Sequence, residues 1–213
     1  MKQRVEIKAI AKAGFKEQRS ASILIVLVFF LVVVVASLTS LIPIIGVLFS
    51  LGVSFIISPV LGVGLYGVFL SIYRKTKTDV NALFSKFGND FARVLGGMLW
   101  MTLWVFLWSL LFIVPGIIKL YSYRLTPFIL SEYPNIRPKD AILISKKMTE
   151  GYKGALFIND LSFIGWFLLS SITMGILFIV YTGPYYLATI SGFYEELKTQ
   201  ALASGAVKRE ELY

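Results

Sequence analysis

Arg124 and Asp160 are the residues whose type and position could do chemistry inside an otherwise apolar part of the chain. Each lies about six or seven residues inside an apolar run, roughly 10 Å from the run's end at ~1.5 Å per residue. A polar loop over residues 132–154 joins the two runs, so both charges enter from the same side and reach similar depth. An ionised group in hydrocarbon is costly, and it is found paired or facing a cavity. The spacing therefore predicts an Arg124–Asp160 ion pair that either fixes helix packing or serves transport or a proton relay. Lys119 lies in the run of Arg124, near its far end, where a long side chain can carry its ammonium to the interface. Pro127 and Pro184 fall inside apolar runs and are expected to break them, freeing backbone carbonyls. Lys119, Pro127, Trp166 and Pro184 thus form a candidate helix-break or ligand region beside the pair.

Other chemistry is thin. The chain has no His and no Cys, which removes the commonest general base, the commonest metal ligand and any thiolate nucleophile. No zinc-protease, Walker-type or G-x-S-x-G pattern is present, and Asp160 follows Asn159 rather than the Gly-x-Gly of an intramembrane aspartyl protease. We therefore expect no enzyme, no metal and no cofactor. Glycines 62, 64, 67, 96 and 97 and the Ala188-x-x-x-Gly192 spacing allow close helix approach. Trp100, Trp104, Trp108, Trp166, Tyr185 and Tyr186 can anchor at interfaces or fill a bundle.

The elements that must hold these residues follow from the distribution of charge. The chain has 213 residues, 57% hydrophobic and 15% charged, with net charge +9 and mean hydropathy +0.77. Soluble domains run nearer 45–50% apolar and about 25% charged. All 21 Lys and Arg except Lys119 and Arg124 fall in four polar segments that separate three long apolar blocks. Basic residues flanking apolar spans follow the positive-inside rule, so nucleic acid is not the expected partner. The reading is an all-α polytopic membrane bundle of six spans, at about 22–42, 44–73, 94–114, 117–131, 155–173 and 176–194. The spans form three hairpins with cytoplasmic amphipathic helices between them, in one integral membrane domain over 1–213. Both termini, including the tail 195–213, are expected in the cytoplasm, and the protein in the cell membrane. The first apolar run continues to Ile42 without an A-x-A site, so cleavage as a signal peptide is not expected.

Residues 1–21 place Lys8, Lys12, Lys16 and Arg19 on one arc of a helix beside Ile7, Ile10, Ala11, Gly14 and Phe15. This is either an amphipathic helix on the anionic lipids of the cytoplasmic leaflet or a solvated basic helix. Turns are expected at Pro43–Gly46, at Pro115–Gly116 and near Gly175, with a kink at Pro59. Asp79 to Arg93 reads as amphipathic, with Leu83, Phe84, Phe87 and Phe91 at helical spacing. A weak repeat matches Leu83-Phe84-Ser85-Lys86 with Leu143-Ile144-Ser145-Lys146, Asp90 with Glu150, and Arg93 with Lys153. It also matches the Pro59…Gly67 spacing with Pro184…Gly192.

The second half carries a resemblance. The run Val114-Pro-Gly-Ile-Ile-Lys-Leu-Tyr-Ser-Tyr123, then Pro127-Phe-Ile-Leu130, Ser145-Lys146, Leu161-Ser-Phe-Ile-Gly-Trp166, Pro184-Tyr185 and Phe193-Tyr-Glu-Glu-Leu197, resembles the bacterial integral membrane proteins grouped as domain of unknown function number 975. The ordered likeness covers about 114–197, and the N-terminal basic helix is similar more loosely. Where the family shows Gly-His-Lys, this chain has Gly151-Tyr152-Lys153. The resemblance implies a multi-span protein of the cytoplasmic membrane and no activity. A more distant likeness, to the membrane region attached to some bacterial glycerophosphodiester phosphodiesterases, rests on the hairpin layout alone. From these features we expect a non-catalytic scaffold or accessory protein of the bacterial envelope, with a membrane protein as partner. The alternative is a small permease or lipid-handling transporter with its site near Arg124 and Asp160.

Overall fold

The computed structural model describes residues 3–39, 42 and 45–212. Lys2, the expected turn residue Pro43 and the expected span start Ile44 lie outside the described residues. Every regular element among the described residues is helical. In chain order they are α1 (Arg4–Glu17), α2 (Arg19–Thr39), α3 (Ile45–Gly52), α4 (Ser58–Tyr73), α5 (Phe91–Leu111), α6 (Ile113–Ser122), α7 (Thr126–Glu132), α8 (Pro138–Thr149), α9 (Lys153–Leu161), α10 (Ile164–Ile172) and α11 (Gly183–Ala203). Four helical stretches are long and apolar enough to cross a membrane: Arg19–Thr39, Ile45–Tyr73, Phe91–Leu110 and Lys153–Ile172. They turn large apolar side chains outward, among them Leu31, Leu38, Leu103, Phe106, Leu168 and Ile172. Hydrocarbon has no water to satisfy backbone N–H and C=O groups, so even these β-branched runs close their hydrogen bonds as helices.

Proline decides the local geometry, though not always as the sequence suggested. Pro59 and Pro184 break nothing. A π turn runs into each from the N-terminal side, Val53–Ile57 into α4 and Phe178–Thr182 into α11. The wider turn makes room for the proline ring where it would meet the carbonyl four residues back. Pro115 is not in a turn either. Phe112, extended at φ −158° and ψ 147°, turns the chain by itself, and Pro115 falls in the first turn of α6, where its missing N–H costs nothing. The expected turn near Gly175 is present, with Gly175 at φ +85°.

Three other boundaries differ. Residues 80–87 form a 3₁₀ helix, not an α-helix, started by Asp79 accepting from the Ala82 N–H at 3.1 Å. The i and i+3 residues of such a turn eclipse, which brings the Phe84 and Phe87 rings to 6.2 Å while Leu83 is buried. The last expected span does not end at 194, because α11 continues to Ala203. The tail after it packs back on the protein. Val207 and Leu212 are buried, and Lys147 reaches both Glu211 oxygens at 2.9 Å.

The core lies where α4, α7 and α11 meet. Phe128 of α7 sits between Tyr66 of α4, at 4.8 Å between ring centroids, and Tyr194 of α11, at 4.9 Å. Glycine sets the separation. A Cβ at Gly192 would collide with the Tyr73 ring and with Ile7, and one at Gly64 with the Leu83 carbonyl. The 80–87 turn folds back along α4, and α8 folds back along α7. The apolar face of α1 is not laid on lipid: Ile7, Ala11, Gly14 and Phe15 are buried, and α1 packs on α11 and α4.

Candidate functional site

Pro127 creates the site. Its ring cannot follow the carbonyl of Tyr123 in a helix, so the run 113–132 is interrupted between Ser122 and Thr126, and Arg124 sits in the gap. Backbone groups freed there are satisfied from α8. The Leu125 N–H donates to Ser145 Oγ at 3.1 Å, and Ser145 Oγ donates to the Ser122 carbonyl at 2.9 Å. Thr149 Oγ1 donates to the same carbonyl at 3.1 Å. All of this is buried, where an unmade hydrogen bond costs about 1–3 kcal/mol. Ser145 entered the sequence reading only as part of a repeat and a resemblance, and the spacing of Ser145 and Thr149 puts both on one face of α8.

The gap aims Arg124 at Asp160, in the last turn of α9. The contact is two-pronged, Nη1 to Oδ2 at 2.9 Å and Nη2 to Oδ1 at 3.0 Å, the geometry that gives a guanidinium–carboxylate pair its strength. The Tyr121 hydroxyl donates to Asp160 Oδ2 at 2.8 Å, and the Tyr186 hydroxyl donates to Oδ1 at 3.0 Å. Tyr186 in turn accepts from Arg124 Nη2. The faces of the Tyr121 and Tyr186 rings lie 5.4 and 5.8 Å from the guanidinium carbon, within the range of cation–π attraction. Oδ1 thus accepts two hydrogen bonds, and Oδ2 accepts one beside its ion-pair contact with Nη1. Four buried polar atoms on this stretch have no hydrogen-bond partner among the described residues: Arg124 Nε, Thr126 Oγ1 and both amide atoms of the fully buried Asn159.

The remaining predicted residues are dispersed. Lys119 places its ammonium 4.5 Å from the Trp108 ring on α5. Trp166 packs on Tyr181 at 5.0 Å and does not touch the pair. Pro184 opens α11 two residues before Tyr186. Lys12 and Lys16 of α1 and Arg19 at the start of α2 are exposed, whereas Lys8 of α1 turns inward to donate to Ser162 Oγ at 2.6 Å.

The family model described as "Protein of unknown function (DUF975)" matches residues 1–126 and 113–201. The chain belongs to the DUF975 family. No curated protein and no solved structure matches it. The matched residues of this DUF975 protein extend well beyond 114–197, taking in α1 and the whole N-terminal half, and their ranges span positions 124 and 160.

A second ionic layer joins α4, α7 and α11. Arg74, just past α4, pairs with Glu132 of α7 and with Glu195 of α11. Lys198 reaches both Glu132 oxygens at 2.9 and 3.0 Å, and the Tyr194 hydroxyl donates to Glu132 as well. Arg93, at the start of α5, donates to the carbonyls of Leu130, Tyr133 and Ile136. It thereby caps the open C-terminal end of α7. The sequence reads Arg74 as the close of a span and Arg93 as the end of an amphipathic segment and a repeat match, because nothing in it says which carbonyls or carboxylates they will meet.

Proposed function

We propose that this DUF975 protein is a non-catalytic membrane scaffold or accessory protein of the bacterial cell envelope. It crosses the membrane six times with both termini in the cytoplasm. Lys119, Arg124 and Asp160 are its intramembrane charges. The observation that carries the reading is the saturation of Asp160. Arg124, Tyr121 and Tyr186 use both of its oxygens, so the pair is built to hold α6, α9 and α11 together. A site meant to receive a substrate would leave an acceptor or donor open toward a cavity.

The six-span topology rests on four apolar helices and two further segments. The broken run 113–132 returns along α5, with Gly116 against Ser109 and Gly97 against Leu130. It reaches roughly 30 Å at ~1.5 Å per residue, the thickness of a hydrocarbon core. The run through Phe178–Thr182 and α11 is at least as long. Neither run stands out by length and hydropathy, because the first is broken between Ser122 and Thr126 and the second is diluted by Tyr, Thr, Gly and Pro. Anionic lipids of the inner leaflet would meet the exposed Lys12, Lys16 and Arg19. The segments 79–93 and 134–153 would meet a protein partner mainly through Phe84 and Leu143, since most of their other apolar side chains face inward.

One observation favours the alternative, a small permease or lipid-handling transporter. Arg124 Nε, Thr126 Oγ1 and the amide of the fully buried Asn159 have no hydrogen-bond partner among the described residues, as groups facing water or a polar solute would. Cysteine scanning of the Cys-free chain separates the readings. Under the scaffold reading, Asn159→Cys, Thr126→Cys and Tyr186→Cys resist a membrane-impermeant thiol reagent, and a stable partner co-purifies from native membranes. Labelling of these positions at the rate of exposed loop sites would overturn the scaffold reading.

A further inference from the structure

The geometry points to a binding site for one acidic phospholipid, with its acyl chain in a groove between α2 and α10 and its phosphate on Lys8 and Arg4 of α1. The groove has a volume of about 770 Å³, within the range of cavities that hold a small organic ligand (roughly 300–1,000 Å³). Leu27, Phe30 and Val34 form one wall and Phe167 and Met174 the other, with Phe178 as floor. The floor is firm: Phe178 lies 5.3 Å from the Phe30 ring and 6.2 Å from the Phe167 ring. Ser170 and Ser171 also line it, but each donates to its own helix, to the Trp166 and Phe167 carbonyls. The groove therefore offers no free donor to a polar solute. Both of its walls belong to segments able to cross a membrane, so what lies against it is an acyl chain.

Charge at one end selects which lipid. Phe167 lies 6.3 Å from Phe163, and the Lys8 ammonium sits 4.2 Å from the centre of the Phe163 ring. Arg4, one turn away on α1, donates to the Ile158 carbonyl at 3.3 Å. Neither cation has a carboxylate partner among the described residues. Lys8 is half-buried, and burial first and Arg4 second push its ammonium below the ordinary lysine value. A phosphodiester between the two would supply the missing counter-charge while its chain continued into the groove. A free anion would gain nothing from the groove, and a zwitterionic lipid would gain little from the cations.

The site rests on placing α2 and α10 in the bilayer and is independent of the scaffold role. Lipid retention by the purified chain needs no partner protein, so the two readings can fail separately. The test is native mass spectrometry of the full chain in detergent, titrated with phosphatidylglycerol and phosphatidylcholine of equal acyl length. We expect phosphatidylglycerol to be retained at least about fivefold better, and Lys8→Gln and Arg4→Gln each to lose about fivefold of that retention. Ser171→Trp, which fills the groove mouth, should lower retention of both lipids. Arg4 is exposed, so Arg4→Gln tests the charge without endangering the fold, and an unchanged melting temperature verifies this for each variant. Equal retention of the two lipids would overturn the proposal. So would phosphatidylglycerol retention unaffected by Arg4→Gln and Lys8→Gln, or displacement of the lipid by millimolar glycerol 3-phosphate, which has the headgroup charge and no chain.

Discussion

Removing both members of the Arg124–Asp160 pair should destabilise the protein by clearly less than the sum of the two single removals. The side chains are 17% and 22% exposed and share two contacts near 3 Å. Breaking a buried pair costs about 3–5 kcal/mol, because the survivor keeps its charge without compensation. The two single changes are not equivalent. Asp160→Asn leaves a guanidinium that stays charged in any protein setting, against one amide that can accept at a single oxygen. Arg124→Gln leaves a carboxylate that keeps the hydrogen bonds of Tyr121 and Tyr186, each to a charged acceptor and worth about 1.5–3 kcal/mol. We therefore expect about 4–5 kcal/mol for Asp160→Asn and about 3 for Arg124→Gln. The double variant should cost less than their sum by about 2–3 kcal/mol. Equilibrium unfolding of the purified protein in mixed micelles, followed by tryptophan fluorescence, gives all four corners of the cycle. The charge swap Arg124→Asp with Asp160→Arg, scored by membrane accumulation, is the cellular counterpart. If the single effects add to within about 0.5 kcal/mol, or if Arg124→Gln is the worse of the two, the clamp argument is wrong.

Ser145→Ala removes the hydroxyl that bridges Leu125 N–H and the Ser122 carbonyl. It should cost about 2–3 kcal/mol in the same assay, with Ser145→Thr recovering part of the loss; a silent Ser145→Ala would mean the gap is closed otherwise. Gly64→Ala drives a methyl into the Leu83 carbonyl and should lower stability by about 1–3 kcal/mol, while Gly62→Ala, which meets nothing within 4 Å, should be neutral or stabilising by up to about 1 kcal/mol. The tail contact should be acid-labile. The Lys147 hydrogen bond, foremost, holds the Glu211 carboxyl below its ordinary 4.5. Its contribution is therefore present above that value and lost as pH falls through the depressed folded value. A spin label at Ala206→Cys should gain mobility on acidification below 4.5, and Lys147→Gln should give the mobile spectrum at neutral pH too.

Depth arithmetic sufficed to put Arg124 opposite Asp160, since two runs joined by one loop share a reference plane and ~1.5 Å per residue measures both. The same reasoning could not see Tyr121 and Tyr186. A tyrosine at helical spacing looks the same whether it fills a bundle or donates to a carboxylate. Prolines were visible, but their effects depend on what can be supplied nearby. Pro127 breaks its helix where Ser145 and Thr149 stand ready to take the freed groups, whereas Pro59 and Pro184 are absorbed by π turns. The matched Pro59…Gly67 and Pro184…Gly192 spacings thus correspond to two helices entered alike and approached closely at their glycines. The helix gap at Ser162 and Phe163 had no signal at all. It is stabilised by Ser162 donating to the Asn159 carbonyl at 2.5 Å, from a residue type common in apolar spans.

The two ionic layers explain why α4, α7 and α11 need charge where apolar side chains would pack as well. Tyr66, Arg124 and Tyr186 come from these helices or their junctions, and Tyr66 is within electrostatic reach of Arg124. About two turns further along, roughly 12 Å away, the same helices deliver Arg74, Glu132 and Glu195. Hydrophobic matching between helices in lipid is weakly selective, because lipid tails compete for the same surface. A polar layer is selective, since sliding one helix by a single turn would strand an arginine or a carboxylate without its partner at a cost of several kcal/mol. Two such layers, one reaching α9 through Asp160 and the other joining α4, α7 and α11, fix both translation and tilt. A chain whose α6–α7 and α9–α10 runs are each interrupted needs that register, because broken helices cannot take it from their own length.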